Sequence, residues 1–311
     1  MFLTVTANPS VDRTVEVDRL TRGDLHRASG VHVQPGGKGI NVARALVRNG
    51  CKARAVVPAG GAEGDQLIGL LTGYSIEVVR VAALGPVRSN ITIVEPDATV
   101  TKLNEAGARL SGPELEAFCD AVLAHMPGVD WVVAAGSLPP GVPDTFYADL
   151  ISRLAPTGAK VAVDTSGPAL LAAVEAGPTL VKPNLEELAE AVDRPLRTLR
   201  EVVDAAGELR SRGAEAVLAS LGGQGAVLVD GEGSWHAEAR AEARSSVGAG
   251  DALLAGFLST GGIGPSALAT GVAWGAAAVS LPGSTMPGPE DVRAHRVVVH
   301  PDIEWDRRID V

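Results

Sequence analysis

Cysteine is scarce in this 311-residue sequence, which contains only Cys51 and Cys119 and no CxxC pair. A disulfide-stapled secreted scaffold needs a denser cysteine framework, so the sequence favours a reducing, cytoplasmic setting. We also expect no secretion signal in residues 1–6, because they carry neither a basic region nor a long apolar run, and Asn8-Pro9 follows. We expect a buried first strand there instead.

Positive charge is in short supply as well. The 27 lysines and arginines are outnumbered by 37 aspartates and glutamates, which gives a net charge of −10. Such an acidic chain is poorly suited to nonspecific binding of nucleic acids or membranes, so we predict neither as a partner. An anionic substrate would have to be held by local positive groups. The hydrophobic content of 46%, with 21% charged residues, indicates a packed globular chain rather than a disordered one.

A stretch from 252 to 289 contains no Asp, Glu, Lys, Arg or His. Gly261-Gly262-Ile263-Gly264-Pro265 divides it into two pieces, and each is shorter than the roughly 20 apolar residues of a typical membrane span. Small residues fill the second piece. We therefore predict two buried helices, 252–260 and 266–281, and no membrane span.

Apolar, β-rich runs alternate with helical patterns along most of the chain. The predicted strands are Phe2–Thr6, Ala55–Val57, Trp131–Ala134, Lys160–Asp164, Leu180–Lys182, Ala216–Ser220 and Ala226–Val229. The helical patterns include Gly39–Asn49, Pro113–His125, Pro143–Leu154 and Arg197–Arg212. This alternation is typical of an α/β fold with a mainly parallel sheet covered by helices on both faces. Right-handed crossovers align the carboxyl ends of the strands at one edge, where open sheets bind ligands. Residues suited to binding follow several strands: Gly136-Ser137, Asp164, Lys182-Pro183-Asn184 and Ser220–Gly223.

Two segments, near residues 12–33 and 88–103, interrupt this pattern. Alternating sequences such as Thr14-Val15-Glu16-Val17 predict strands with one exposed face. We expect these strands to form a small lid over the sheet edge, where it would keep water away from a bound ligand.

The most informative segment is Ser246-Val247-Gly248-Ala249-Gly250-Asp251. Gly248 and Gly250 lack side chains, so consecutive backbone N–H groups can converge on a phosphate at the start of a helix. A carboxylate at position 251 could accept the proton of an attacking hydroxyl while the amides stabilise the phosphoryl oxygens. This combination suggests phosphoryl transfer. Taken alone, the segment fits equally well a glycine-rich turn in which Asp251 is a helix N-cap.

A second glycine turn, Pro35-Gly36-Gly37-Lys38-Gly39, leads into a helical pattern that contains Asn41. The backbone there can approach a polar ligand closely, and Lys38 and Asn41 could donate to sugar hydroxyls; a plain turn with a solvated lysine is the alternative. The turn is not a Walker A loop, because glycine follows Lys38 where serine or threonine is required. No GxGxxG is present either, which weakens a dinucleotide-binding interpretation.

With these motifs in place, the chain resembles the PfkB (ribokinase-like) carbohydrate kinases from Asn8 to about Ser280. The motifs that match in order are Gly36–Asn41, Gly136–Gly141, Lys182–Glu187, Ser220–Gly222 and Val247–Asp251, of which the first and last are similar to the family's two signatures. Other segments are similar to the branch of 1-phosphofructokinases and tagatose-6-phosphate kinases, namely Asn8–Asp12, Gly39–Ala43 and Val87–Asn90.

The resemblance implies a ribokinase-like α/β fold with a β-strand lid, organised as one kinase domain over 1–311. It also implies that Arg88 binds the phosphate already present on the sugar, a role that suits a guanidinium's forked donors and permanent charge. The other implied substrate-binding residues are Asp12, Gly37, Lys38, Asn41, Asn104 and Ser137. Arg27 is a further candidate for contact with the sugar phosphate.

For ATP, the resemblance implies contacts from Lys182, Asn184, Ser220, Gly222, Gly225, Ser246, Val247, Ala278 and Ser280. It places Gly248, Ala249, Gly250 and Asp251 at the transferred group, with Asp251 as the base. It implies Mg²⁺ bound by Asn184 and Glu187, directly or through water, and their i, i+3 spacing puts both side chains on one side of a helical turn. Outside this family context, the pair would be a helix-capping asparagine and an exposed glutamate.

The predicted reaction is transfer of the ATP γ-phosphoryl group to a phosphorylated ketohexose, with fructose 1-phosphate accepting at its 6-hydroxyl as the first choice. A 6-phosphofructokinase or a tagatose-6-phosphate kinase would carry the same motifs. A catalytically silent sugar-phosphate-binding regulator would retain Asp12 and Arg88 but would not need Asp251. The resemblance also implies a homodimer through the lid strands, since pairing would cover exposed strand edges. Ala252 stands where related chains often carry a small hydroxyl residue, which leaves the proposed base and anion cradle intact.

Overall fold

The structure is a computed structural model that describes residues 1–97, 99–300 and 302–309. Within them the strands are β1 (Phe2–Val5), β2 (Ser10–Glu16), β3 (Gly30–Gly36), β4 (Ala53–Gly60), β5 (Glu77–Pro86), β6 (Arg88–Val94), β7 (Val100–Asn104), β8 (Trp131–Ala135), β9 (Lys160–Asp164), β10 (Leu180–Val181), β11 (Ala216–Ser220), β12 (Ala226–Val229), β13 (Ser234–Ala239) and β14 (Val297–His300).

The helices of the same residues are α1 (Lys38–Arg48), α2 (Gly61–Thr72), α3 (Gly112–Ala124), α4 (Phe146–Leu154), α5 (Gly167–Glu175), α6 (Leu185–Ala191), α7 (Leu199–Arg212), α8 (Ala249–Ser259), α9 (Gly264–Val279) and α10 (Pro289–Arg293). Two 3₁₀ turns, Ala155–Thr157 and Gly222–Gln224, complete the list. Four residues of the predicted domain 1–311, among them Ala98 in the predicted lid segment, lie outside the described residues.

The main sheet has ten strands in the order β14-β13-β12-β11-β10-β9-β8-β1-β4-β5. The strands from β11 to β5 pair in parallel, whereas β12, β13 and β14 add an antiparallel edge. The prediction of a mainly parallel sheet is therefore confirmed. The alternation of strands and helices did not indicate the antiparallel edge, which arises because the short turn Gly222–Gln224 returns the chain directly along β11 without a crossover helix.

Helices cover both faces of the main sheet, as predicted. On one face α3 to α7 pack side chains such as Phe118, Tyr147 and Leu209 against the strands. On the other face α1, α2, α8 and α9 contribute a second apolar layer that includes Leu46 and Phe257. Strands buried on both faces need apolar residues at every position, which explains their continuous rather than alternating apolar runs.

The uncharged stretch forms α8 and α9, which pack closely against each other. A side chain at Gly256 would overlap Trp274, and one at Gly271 would meet the carbonyl oxygen of Leu253 at 2.8 Å, so both glycines permit this close approach. Two buried helices were predicted here. Among the described residues, no helix combines the length and apolar character that crossing a membrane requires.

A second sheet contains four strands in the order β3-β2-β6-β7, and we call it the lid sheet. Its strands come from the two segments that interrupt the alternating pattern. Strand β2 starts at Ser10, just after β1, so the lid sheet leaves the main sheet at the carboxyl end of a central strand. Within it, β2 and β6 pair in parallel and place Asp12 opposite Asn90. Closure of this sheet over a substrate stays a prediction.

The carboxyl ends of β8, β9, β10 and β11 lie side by side in the main sheet. Strand β9 ends at Asp164, Lys182 follows β10 directly, and β11 ends at Ser220. Residues far apart in the sequence thus become neighbours at one edge, beside the point where the lid sheet departs.

Candidate active site

Helix α8 begins with the glycine loop. Gly248 is its N-cap and has a left-handed φ of 79°, a conformation that favours glycine. Ala249, Gly250 and Asp251 form the first turn, and the amide of Ala252 donates to the Gly248 carbonyl oxygen at 2.9 Å. The N–H groups of a first turn precede the helical hydrogen-bond pattern, so this helix end can bind an anion.

Asp251 is a buried carboxylate in that first turn, with 7% of its surface exposed. Its Oδ2 atom accepts a hydrogen bond of 2.9 Å from Nδ2 of Asn41, which lies on α1. Burial and the negative charge of Asp164 raise the pKa of Asp251 to about 6. A carboxylate with this pKa is ionised at neutral pH and accepts a proton more readily than an ordinary aspartate, as a general base requires.

Asp164 is fully buried at the end of β9, between two lysines. Lys38 Nζ lies 2.6 Å from its Oδ1 and Lys182 Nζ lies 2.9 Å from its Oδ2. Burial alone would raise the pKa of Asp164, but the ammonium groups of Lys182 and Lys38 outweigh it and hold that pKa below its usual value. The carboxylate fixes both lysines near the start of α8, where Lys182 Nζ is 3.3 Å from the position of a Cβ atom on Gly250.

Asn184 and Glu187 form a capping box at the start of α6. Oδ1 of Asn184 accepts from the Glu187 amide and Oε2 of Glu187 accepts from the Asn184 amide, each at 2.8 Å. Both members of the predicted metal pair therefore cap a helix. The alternative of a helix-capping asparagine and an exposed glutamate fits Asn184, whereas the Glu187 side chain is only 14% exposed.

One oxygen of this pair still faces the site, because Oε1 of Glu187 lies 3.4 Å from Lys38 Nζ. A single available carboxylate oxygen suits a magnesium ion that keeps most of its water ligands, rather than direct chelation by both residues. In the part of the chain that the structure describes, no group of three or more His, Cys, Asp or Glu side chains could hold a metal ion.

Asp12 lies on β2, a central strand of the lid sheet. Its Oδ1 accepts hydrogen bonds from Ser10 Oγ at 2.7 Å and from Asn90 Nδ2 at 3.0 Å. A side chain at Gly36, on the neighbouring strand β3, would overlap the Asp12 carboxylate. The glycine turn that precedes α1 therefore makes room for Asp12, and the lid contacts hold this carboxylate in place.

Arg88 is the first residue of β6. Its Nη1 donates to the Glu105 carbonyl oxygen at 3.0 Å and its Nη2 to the Asn8 carbonyl oxygen at 3.2 Å. Its Nε is buried and has no hydrogen-bond partner among the described residues. Burial lowers the pKa of Arg88, although the charge of Asp12 acts in the opposite direction. Because arginine stays charged in proteins, Arg88 is a positive charge at the start of β6 whose position is fixed by two carbonyl oxygens.

The turn between β11 and β12 contains Gly222 and Gly225, and it follows Ser220, the last residue of β11. Ser220 forms an isolated parallel bridge with Asn184, which joins this turn to the start of α6. Gly222 and Gly225 have positive φ angles of 58° and 83°. A side chain at Gly225 would overlap the carbonyl oxygen of Ala237 on β13, so the turn can lie against the neighbouring strand only with glycine at this position.

An open cleft of about 480 Å³ adjoins the end of α9. Ser280 lines it together with Arg240, Arg244 and His295. Ala278 differs, because it is 1% exposed and packs in the core. Of the two residues expected near adenine, the structure places Ser280 on an accessible surface and leaves Ala278 without one.

Further predicted residues lie in other parts of the structure. Gly37 is the N-cap of α1 with a φ of 117°, and Ser137 Oγ, just after β8, accepts a hydrogen bond of 3.2 Å from Asn8 Nδ2. Asn104, Ser137, Ser246 and Arg27 are exposed. Val247 is half-buried, and its amide donates to Ser245 Oγ at 3.2 Å.

The structure gives two charged groups contacts that the sequence did not indicate. Asp164 is recognisable from the sequence only as a polar residue at a strand end, and its pairing with Lys38 and Lys182 depends on the fold. Arg44 lies on α1 and donates from Nη1 to Asn41 Oδ1 at 3.0 Å. Its position three residues after Asn41 is the signal that could have revealed this contact, because such residues are neighbours on a helix surface.

Comparison with known proteins bears on this arrangement. The family model for pfkB family carbohydrate kinases matches residues 5–291. The 1-phosphofructokinase of Rhodobacter capsulatus is 37% identical over 303 residues, which cover 94% of each protein. The chain belongs to the pfkB family of carbohydrate kinases. Membership makes this pfkB kinase a phosphotransferase, and the family uses ATP as co-substrate.

Further relatives of this pfkB kinase agree with the predicted fold. The ATP-dependent 6-phosphofructokinase isozyme 2 of Escherichia coli is 37% identical over 255 residues, or 81% of this chain and 82% of the relative. The structure of phosphofructokinase-2 from Escherichia coli matches with a TM-score of 0.89 at 35% identity, covering 94% of this chain and 97% of the other. An Arabidopsis thaliana ribokinase matches with a TM-score of 0.74 at 20% identity, over 94% and 97% of the two chains. The ribokinase-like α/β fold is thereby confirmed.

Proposed function

We propose that this pfkB kinase transfers the γ-phosphoryl group of ATP to a phosphorylated ketohexose, and that its acceptor is the 6-hydroxyl of fructose 1-phosphate. The observation that carries the proposal is the position of Asp251, a buried carboxylate with a raised pKa in the first turn of α8. Lys182 lies beside the same turn, and Asp164 anchors it there. A base, an anion cradle and fixed cations therefore converge on one point.

In the proposed reaction, Asp251 accepts the proton of the sugar hydroxyl while the hydroxyl oxygen bonds to the γ-phosphorus. The bond from that phosphorus to the bridging oxygen breaks, and ADP leaves with the electron pair. Burial keeps water away from Asp251, so its carboxylate is reserved for the substrate hydroxyl. The contact with Asn41 holds Oδ2 in a fixed direction, which supports in-line transfer.

The reaction also requires stabilisation of the negative charge on the phosphoryl oxygens. The amides of Gly250 and Asp251 point out of the start of α8 and can donate to those oxygens. Lys182 and Lys38 add positive charge that the protein has already oriented. Oε1 of Glu187 would hold Mg²⁺ through a water ligand, and the ion would supply positive charge against the phosphate oxygens.

The preference for a phosphorylated acceptor rests on Arg88. Its guanidinium is fixed by two carbonyl oxygens, and the side chain is half-buried at the start of β6. A sugar phosphate at the accessible part of this guanidinium would accept hydrogen bonds from its Nη atoms and supply a compensating charge. Asp12, held by Ser10 and Asn90, would orient the sugar hydroxyls.

The identity of the sugar rests on similarity. Relatives named 1-phosphofructokinase include that of Bacillus subtilis, which is 36% identical over 83% of this chain. The 6-phosphofructokinase isozyme 2 of Escherichia coli shows similar identity, so a 6-phosphate acceptor is the second candidate. A silent regulator is disfavoured, because it would not need the buried Asp251 or the lysines on Asp164.

The test is ADP production with ATP and Mg²⁺, comparing kcat/KM for fructose 1-phosphate, fructose 6-phosphate, tagatose 6-phosphate and fructose. The Asp251→Asn variant, purified in parallel, controls for contaminating kinases. We expect a clear preference for fructose 1-phosphate. A preference for a 6-phosphate would retain the mechanism and change the substrate, whereas no turnover with any sugar would overturn the proposal.

The lid sheet is also the proposed homodimer interface. Its edge strands β3 and β7 expose Val31, Val100 and Leu103, with 54%, 49% and 55% of their surfaces accessible. A second copy would cover these edges. Light scattering should give a molar mass twice that of the monomer. The Leu103→Lys variant should have the mass of a single monomer. Leu84→Lys, at a 92% exposed position on β5, is the matched control.

A further inference from the structure

Arg44 is a buried arginine on α1 that faces the site from behind Asn41. It is 3% exposed and lies within the helix that begins at the Lys38 glycine turn. Its Nη1 atom donates to the Pro35 carbonyl oxygen at 3.3 Å and to Asn41 Oδ1 at 3.0 Å. Its Nη2 donates to Tyr74 Oη at 3.4 Å, and its guanidinium stacks 4.8 Å from the Tyr74 ring centre. Contacts on three sides hold this group in one place.

Asn41 connects Arg44 to Asp251. The Asn41 side chain has an acceptor and a donor of nearly equal shape, so in isolation either end could face Asp251. A guanidinium has five donors and no acceptor, so it can pair only with the oxygen. With Oδ1 held by Arg44, Nδ2 must face the Asp251 carboxylate, and it donates there at 2.9 Å.

We propose that Arg44 is a positioning residue that fixes the orientation of the Asn41 amide and, through it, the Asp251 carboxylate. The inference rests on the proposed role of Asp251 as the base only where turnover is concerned. The chain of contacts from Arg44 to Asp251 can be tested in the protein without any substrate.

Loss of Arg44 would release Asn41 to rotate. Its oxygen could then face Asp251 Oδ2, where two acceptors repel each other unless the carboxyl group is protonated. The hydrogen bond from Asn41 lowers the pKa of Asp251, against the effects of burial and of Asp164, and Lys38 and Lys182 also lower it. Removing the oriented donor should therefore raise the pKa of Asp251 further above its present value of about 6.

The direct experiment is titration of the Asp251 carboxyl carbon by ¹³C NMR in the ligand-free protein, with the resonance assigned by its loss in Asp251→Asn. For Arg44→Met we expect the Asp251 titration to move upward by about one pH unit, the equivalent of one hydrogen bond. Tyr74→Phe is the matched control, because it removes another partner of the same guanidinium and leaves Asn41 untouched. An unchanged titration in Arg44→Met would overturn the inference.

A double-mutant cycle separates orientation from charge, since Arg44 also attracts Asp251 through space. Asn41→Leu preserves the size of the side chain and removes its polar atoms. If Arg44 acts through Asn41, Arg44→Met should change the Asp251 titration far less in the Asn41→Leu background than in the parent protein. An equal shift in both backgrounds would show a purely electrostatic effect and would overturn the positioning role.

Two further measurements keep the inference testable. If Arg44→Met does not fold, Arg44→Lys retains the charge and loses the forked donors, and we expect a smaller upward shift of the titration; no shift would count against the inference. In each active variant, the pH at which kcat falls on the acidic side should shift by the same amount as the pKa of Asp251. Titration shifts without any change in the pH dependence of kcat would retain the contact chain and remove Asp251 as the base.

Discussion

Lys182 Nζ lies 2.9 Å from Asp164 Oδ2, and both side chains are almost completely shielded from solvent. Lys38 Nζ lies 2.6 Å from the other oxygen of the same carboxylate, Oδ1. One buried carboxylate therefore faces two ammonium groups at the end of β9, and removal of Asp164 would leave both cations without their shared partner. Such an arrangement is suited to holding cations ready for a phosphate that arrives with ATP.

Replacing Asp164 with Asn should destabilise the protein strongly. Loss of the carboxylate would leave the buried ammonium group of Lys182 unpaired, a change that costs about 3–5 kcal/mol in comparable sites. Urea unfolding followed by circular dichroism would measure the free energy. The matched control is Asp65→Asn, which breaks an exposed pair with Arg80 and should cost less than about 1 kcal/mol. Equal losses in the two variants would show that burial of the Asp164 pair is not decisive.

Replacing Asp251 with Asn should reduce kcat by about 10²- to 10⁴-fold, the range that a positioned base typically supplies. The side chain keeps its size and can still pair with Asn41, so binding of both substrates should be preserved. Steady-state kinetics and calorimetric titration with ATP would measure the two effects separately. Turnover close to that of the parent enzyme would exclude Asp251 as the base.

The pH dependence of kcat should follow the ionisation of Asp251. The base must be ionised, and burial and Asp164 raise its pKa to about 6, so activity should fall as the pH drops through about 6. An ordinary aspartate would lose activity only near pH 4. Initial rates between pH 5 and 8 at saturating substrates would locate the acidic limb. A flat profile down to pH 5 would contradict the assignment.

Arg88→Ala should raise KM for the sugar phosphate by about 10- to 100-fold, because hydrogen bonds to charged groups contribute about 1.5–3 kcal/mol. KM for ATP should change much less. Arg80→Ala is the matched control, since Arg80 lies on β5 and pairs with Asp65 at the surface. Equal increases in both KM values for Arg88→Ala would indicate a general disturbance rather than contact with the acceptor.

Gly225→Ala should destabilise the protein and weaken ATP binding. Gly225 has a φ of 83°, and an added Cβ atom would overlap the Ala237 carbonyl oxygen, so the turn after β11 would have to move. The backbone strain alone costs about 1–3 kcal/mol. Gly223→Ala is the control in the same turn, because a Cβ atom there meets nothing within 4 Å. Thermal unfolding and KM for ATP would compare the two; indistinguishable values would refute the expected clash.

Much of the central fold is predictable from the sequence because local patterns determine it. The bounds of β9, β11 and β12 agree with the predicted strands, since each is an apolar run between turn residues or polar segments. Strands β13 and β14 were not predicted. They lie at the antiparallel edge, where Ser234–Ala239 is mixed in polarity and residues after 289 carry no recognisable motif. Helix α4 begins at Phe146 rather than at the predicted Pro143.

The site is predictable in part, for a related reason. The glycine loops identify Lys38, Asn41 and Asp251, because a phosphate cradle demands particular residues at particular spacings. The sequence assigns Lys38 and Asn41 to the sugar, whereas the structure also shows them paired with Asp164 and Asp251. Those partners lie 126 and 210 residues away along the chain, and no local pattern reports such contacts.

These long separations also bear on how the protein reaches its working state. The loop closures that join α1 to β9 and α8 are entropically costly and slow to form, whereas individual helices and turns form quickly. A partly folded chain can hold most of its secondary structure while Asn41 and Asp251 are still apart. During refolding, recovery of kinase activity should therefore lag behind recovery of the helical signal, and catalysis itself would report the completion of folding.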